Sequence, residues 1–153
     1  MPRFAANTSV DAGVSRAEIE RTLRRYGCDE FGYMSSRDQA VILFTLHSRR
    51  VKFVLPLPDQ SSSEFTRTPS RGQPRTPAAA LEAWEQAVRQ RWRALALCVK
   101  AKLEAVEAGI ETYDQAFLAH FVLPSGQTVS ERIRPELDGA WQGRRLRLVA
   151  GMS

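Results

Sequence analysis

Arginine and lysine are the residues in this chain whose number and spacing could do chemistry, and that chemistry is the neutralisation of an anion. Between Gln86 and Leu103 stand Arg89, Arg91, Arg93, Lys100 and Lys102, with no acid among them. On a helix, at about 100° per residue, Arg89, Arg93 and Lys100 share one stripe, expected opposite the apolar side. Arg91 and Lys102 fall together near the apolar edge. The acids Glu82, Glu85, Glu104 and Glu107 lie towards the two ends. Cations gathered mid-helix are what contact with a run of phosphates requires. The plain alternative is a solvated face, or pairing with carboxylates from elsewhere in the chain. Three further groups are His47, Arg49, Arg50 and Lys52 at a strand turn, Arg67, Arg71 and Arg75 in a polar stretch, and Arg144, Arg145 and Arg147 in the tail. The net charge of +5 and pI near 9.8 permit nucleic acid or an acidic partner.

Other chemistries find little support. The two histidines, His47 and His120, and two cysteines, Cys28 and Cys98, give no close ligand pair of the zinc type. There is no Gly-x-Ser-x-Gly elbow and no phosphate-cradling glycine loop. Cys28 and Cys98 are expected to be free buried thiols, inert as nucleophiles. Asp29, Glu30 and Asp38 sit near strand ends without a base to pair with. No catalytic residue, metal or cofactor is therefore expected, and an enzyme is the least favoured reading. Of the aromatic residues that could stack on bases, Tyr33, Trp84, Trp92 and Trp141, two lie on an apolar seam and are expected in the core.

That seam belongs to the element that must position the cations. Leu81, Trp84, Val88, Trp92, Leu95, Val99, Leu103, Val106 and Ile110 recur at helical spacing. Thr76 and Pro77 open the helix and Gly109 stops it. Upstream, Ser15 and Glu18 read as a capping box for a first helix carrying Ile19, Leu23 and Tyr26, ended by Gly27. Its Arg16, Arg21, Arg24 and Arg25 are expected on solvated faces. Glu30–Met34, Ala40–Leu46 and Val51–Leu55 read as strands joined by short turns, an antiparallel meander with the doubly apolar second strand in the centre. Pro56 to Thr76 is rich in Pro, Ser and Gly and is expected as a mobile loop over 58–76, disordered or ordering on a partner. Thr112 with Gln115 and Thr128 with Glu131 read as two more capping boxes; Pro135 is tolerable only in a first turn or at a helix end.

The segments Arg49-Arg50-Val51-Lys52-Phe53-Val54-Leu55-Pro56-Leu57-Pro58-Asp59, Trp84-Glu85-Gln86, Arg91-Trp92-Arg93-Ala94-Leu95-Ala96-Leu97 and Lys100-Ala101-Lys102-Leu103-Glu104-Ala105-Val106-Glu107 together resemble a family of small uncharacterised proteins of tailed bacteriophages and prophages. The resemblance continues through Phe117-Leu118-Ala119-His120 and Leu123-Pro124-Ser125-Gly126-Gln127-Thr128-Val129, covering most of residues 7–135; the tail from Gly139 diverges. It implies a phage or prophage origin and an accessory role, and it brings no catalytic residue with it. The element order also resembles phage single-strand annealing proteins, an association by order alone.

The expectation is an α+β fold, a three-stranded antiparallel meander against one long amphipathic helix with short flanking helices. A flexible arm (1–14), one domain (15–138) and a basic tail (139–153) are expected. No apolar run is long enough to span a bilayer, and the N-terminus lacks a signal-peptide core, so a host-cytoplasmic protein is expected. The leading functional reading is a non-enzymatic phage accessory protein that binds nucleic acid, single-stranded DNA in replication or recombination, through phosphate contacts. Arg89, Arg93, Lys100, Arg49, Arg50, Lys52, Arg67, Arg71 and Arg75 would make those contacts. The rival is a protein-interaction module acting on a host or phage protein, for example an inhibitor of a host enzyme.

Overall fold

The computed structural model describes the backbone of residues 2–151 and the side chains of residues 12–142. The chain runs α1 (Pro2–Arg25), β1 (Glu30–Ser35), β2 (Gln39–Leu46), β3 (Arg49–Pro56), α2 (Ser63–Thr66), α3 (Pro77–Glu107), α4 (Tyr113–Phe117), a 3-10 turn over Leu118–His120, and α5 (Val129–Gly151). The fold is α+β. The three strands form an antiparallel sheet in the order β1-β2-β3, with β2 in the centre.

α3 is built as its sequence dictates. The Thr76 hydroxyl accepts from the Ala79 N–H at 3.2 Å, Pro77 occupies the first turn, and 31 residues follow, about 46 Å of helix. Gly109 adopts a φ of 76° and lets the chain turn back: its N–H reaches the Val106 carbonyl and the Ile110 N–H reaches Ala105. Val88, Trp92, Leu95, Val99 and Leu103 are buried, and Trp84 and Val106 are partly buried. Ile110 lies beyond the helix end and is 77 % exposed.

The seam packs on one face of the sheet. Strand alternation puts Ala40, Ile42, Phe44 and Leu46 of β2 and Val51 and Phe53 of β3 on that face, all buried. α4 closes one end, where Phe117 meets Phe44 and Phe53 edge-on at ring distances of 6.0 and 6.3 Å. The opposite sheet face carries the rows Met34–Val41–Val54 and Gly32–Leu43–Lys52, with Met34 and Val54 exposed. His47 and Ser48 both have positive φ, the tight hairpin geometry that matches strand twist. Tyr113 packs edge-on against His47 at 5.2 Å and helps hold this costly turn.

α1 lies parallel alongside α3. Three contacts fix the direction: the Arg16 guanidinium stands 5.7 Å from the Trp92 ring, Thr22 and Lys100 line one groove, and the Tyr26 hydroxyl donates to Glu107 at 2.6 Å. Ala12, Ile19 and Leu23 are the buried face. The expected start at Ser15 is not a start: α1 is already helical there, and Ala12, one turn earlier, is in the core. The arm expected over 1–14 falls mainly on residues outside those whose side chains are described. Gly27 does end the helix, with its N–H on Arg24 and that of Cys28 on Leu23.

The stretch 58–76, expected as a mobile loop, carries α2 and an isolated bridge between Arg67 and Pro74. Its one large apolar side chain, Phe65, is 3 % exposed, and the Trp84 indole N–H donates to the Pro58 carbonyl at 2.8 Å. Both later capping boxes form: Thr112 with Gln115, and Thr128 with Glu131. Of the flanking helices α2 and α4 are short, with 4 and 5 residues, whereas α1 and α5 run to 24 and 23. α5 continues past Pro135, which sits inside it. The carbonyl that Pro135 leaves without a helical donor belongs to Glu131, and residues 131–142 are exposed, so water can satisfy it. The tail arginines Arg144, Arg145 and Arg147 lie outside the described side chains.

Candidate nucleic-acid interface

The expected phosphate contacts separate into three sets. On α3, Arg93 and Lys100 are exposed. Arg89 is half-buried one turn after Glu85, a buried carboxylate at 3 % exposure, and it is already engaged. The stripe does not lie opposite the seam. That position belongs to Ala94, Leu97 and Ala101, all exposed; Cys98, on the other flank, is exposed as well, so its thiol is not buried as expected. Arg89, Arg93 and Lys100 lie on the flank of α3, and Lys100 faces α1.

At the hairpin, neighbours in sequence part company. Arg49 points to the helical side, pairs with Asp114 through Nε at 2.8 Å and Nη2 at 3.1 Å, and stands over the Phe121 ring. Arg50 and Lys52, cross-strand from Thr45 and Leu43, occupy the other face of the sheet. In the 58–76 stretch, Arg67 donates to the Gly72 carbonyl at 2.9 Å and Arg75 to the Phe65 carbonyl at 3.2 Å. These two hold their own segment together; Arg71 is exposed. On the flank of α3 facing the seam's edge, Lys102 donates to the Ala116 carbonyl at 2.9 Å. The nine expected contacts therefore do not make one surface.

The residues that do converge were only half anticipated. Arg21, Arg24 and Arg25 of α1 meet Lys100 of α3 around an open groove of about 600 Å³, also lined by Glu18 and Thr22. These α1 arginines read as ordinary surface in the sequence. Four cations against one carboxylate make the groove a place for an anion. Arg24 is held towards Glu20 at 3.7 Å, an exposed pair that water screens. Further along the helices the excess of positive charge ends, where Tyr26, Glu104 and Glu107 join Arg25 and Lys100. The hydrogen bond to Glu107 raises the pKa of the Tyr26 hydroxyl, keeping it a neutral donor.

Beyond the groove, Cys28, His120 and Tyr113 have shifted acidities. Cys28 donates to the Glu30 carbonyl, and burial pushes its thiol up in pKa, away from the reactive thiolate. His120 stacks on Phe53 at 3.9 Å; burial first, then the charge of Lys102, lowers its pKa. Tyr113 has a buried hydroxyl without a partner, and burial raises its pKa. Among the described residues no cluster of His, Cys, Asp and Glu could hold a metal, and no helix is long and apolar enough to cross a membrane. No protein-family model, curated protein or solved structure matches the chain.

Proposed function

We propose that this chain is a non-enzymatic accessory protein of a bacteriophage or prophage that binds single-stranded DNA through its phosphates, in replication or recombination. The observation that carries the reading is the meeting of Arg21, Arg24 and Arg25 with Lys100 in one open groove. A flexible polyanion can follow such a groove without any base being recognised. Glu104 and Glu107 offset Arg25 and Lys100 at one end of the groove, so phosphate is favoured at the other, beside Arg21 and Arg24. The phage assignment rests on the sequence resemblance alone. The test is a titration of labelled oligo(dT) with the wild-type chain and the double variant Arg21→Glu/Lys100→Glu. Both positions are solvent-facing, so the variant keeps the fold, and its affinity falls by at least ten-fold at low salt. Equal affinity of the two proteins overturns the reading.

One observation favours a second reading, a protein-interaction module acting on a host or phage protein. Ile133, Leu137 and Trp141 recur every fourth residue on α5 and are 37, 49 and 70 % exposed. An apolar stripe of this kind fits a groove on another protein. Pull-down from nuclease-treated host lysate discriminates: a partner retained by the wild type and lost with Leu137→Glu supports it, and retention by the variant excludes the stripe.

A further inference from the structure

A second cleft, of about 430 Å³, opens between α1 and the edge strand β1 and is lined by Gly13, Arg16, Ala17, Glu20, Phe31, Gly32 and Tyr33. Tyr33 lies on β1, which has no strand on its outer side. The residue is 47 % exposed, and the Arg16 guanidinium is stacked over its ring at 3.9 Å from the centroid. Arg16 also stands 5.7 Å from the buried Trp92 ring, which anchors it. Tyr33 is thus a partly bare aromatic ring backed by a fixed cation, whereas Trp92 is inside the core and the Trp84 indole is tied to Pro58. A flat π-system laid on such a ring gains both stacking and the field of the guanidinium behind it.

The cleft and the phosphate groove lie on the two flanks of α1 and have no lining residue in common. Glu20 lines the cleft, Arg24 lines the groove, and the two pair one turn apart along α1. Arg16 and Arg24 are eight residues apart, about 12 Å along the helix. A strand that leaves the basic groove past Arg24 and crosses the exposed side of α1 reaches Tyr33.

We propose that Tyr33, backed by Arg16, is a stacking shelf for one unpaired nucleobase of a strand whose phosphates lie in the groove between α1 and α3. This rests on the nucleic-acid reading above and adds to it a contact with the base. Glu20 supplies an acceptor for an N–H on the edge of the stacked base.

The experiment uses the full chain, its Tyr33→Ala and Tyr33→Phe variants and the groove variant Lys100→Glu. Each is titrated with oligo(dT) and with an abasic oligomer of equal length, which keeps the phosphates and lacks the bases. Tyr33→Ala is expected to weaken oligo(dT) about ten-fold and to leave the abasic oligomer unchanged, while Tyr33→Phe binds as wild type. Lys100→Glu weakens both. An oligo(U) arm identifies which polymer supplies the base, and the Tyr33→Ala loss accompanies whichever binds tighter. If Tyr33→Ala binds oligo(dT) like wild type, or loses the abasic oligomer equally, the stacking shelf is wrong while the groove stands. If no oligomer binds, both fall.

Discussion

Lys100 is the residue on which the sequence and the fold agree most usefully. Its place in an acid-free stretch of α3 is readable, and it is exposed in the groove. Its companions are not readable, because nothing in the pattern of α1 says which flank of α3 it will lie against. Arg49 and Arg50 show a different failure. Read as one cluster, they are adjacent on a strand and so must face opposite ways, a period-two rule that the sequence already contained. Arg49→Ala is expected to leave oligo(dT) affinity unchanged in the same binding titration, since Asp114 already neutralises it. Its cost in stability should be under about 1 kcal/mol, because both side chains are more than half exposed. His120 sets a pH dependence. Burial and Lys102 lower its folded pKa below the ordinary 6.5, so just below that pH the unfolded chain holds more protons than the folded one. Its contribution to stability is complete above 6.5 and is lost as pH falls towards its folded value. Thermal melts across this window should show the decline, and His120→Gln should flatten it.

At the scale of elements, α3 was legible because three independent signals coincide: a cap, a seam and a stop. The meander was legible for a similar reason, since β2 is apolar on both faces and its neighbours are not. The helix boundaries of α1 and α5 were not. Ser15 looks like a cap and Pro135 like a breaker, yet burial of Ala12 draws α1 backwards and solvent tolerates the proline in α5. In the 58–76 segment a single buried residue, Phe65, together with backbone bonds from Arg67 and Arg75, shapes what composition alone reads as a loop. Two substitutions on α3 test which face is which. Trp92→Ala, at 2 % exposure, is expected to cost about 3–5 kcal/mol in chemical denaturation. Cys98→Ser, on the exposed side, should stay within about 0.5 kcal/mol of wild type.

At the scale of the whole molecule, the positive charge of the described residues does not form a single basic face. Part of it is used inside the fold, by Arg49, Arg67, Arg75 and Lys102. Part lies on the far side of the sheet with Arg50 and Lys52. Among the described residues the groove where α1 runs beside α3 gathers four cations, and the nucleic-acid function requires that groove to receive a polyanion. Each phosphate contacted on a single strand contributes about −0.7 to the slope of log affinity against log salt. Contacts from Arg21, Arg25 and Lys100 therefore predict a slope near −2 for oligo(dT), reduced in magnitude by about 0.7 in Lys100→Ala. Anisotropy of a labelled oligomer over a salt series measures both numbers. An affinity that is undetectable at the lowest salt, or that does not change with salt, contradicts the account.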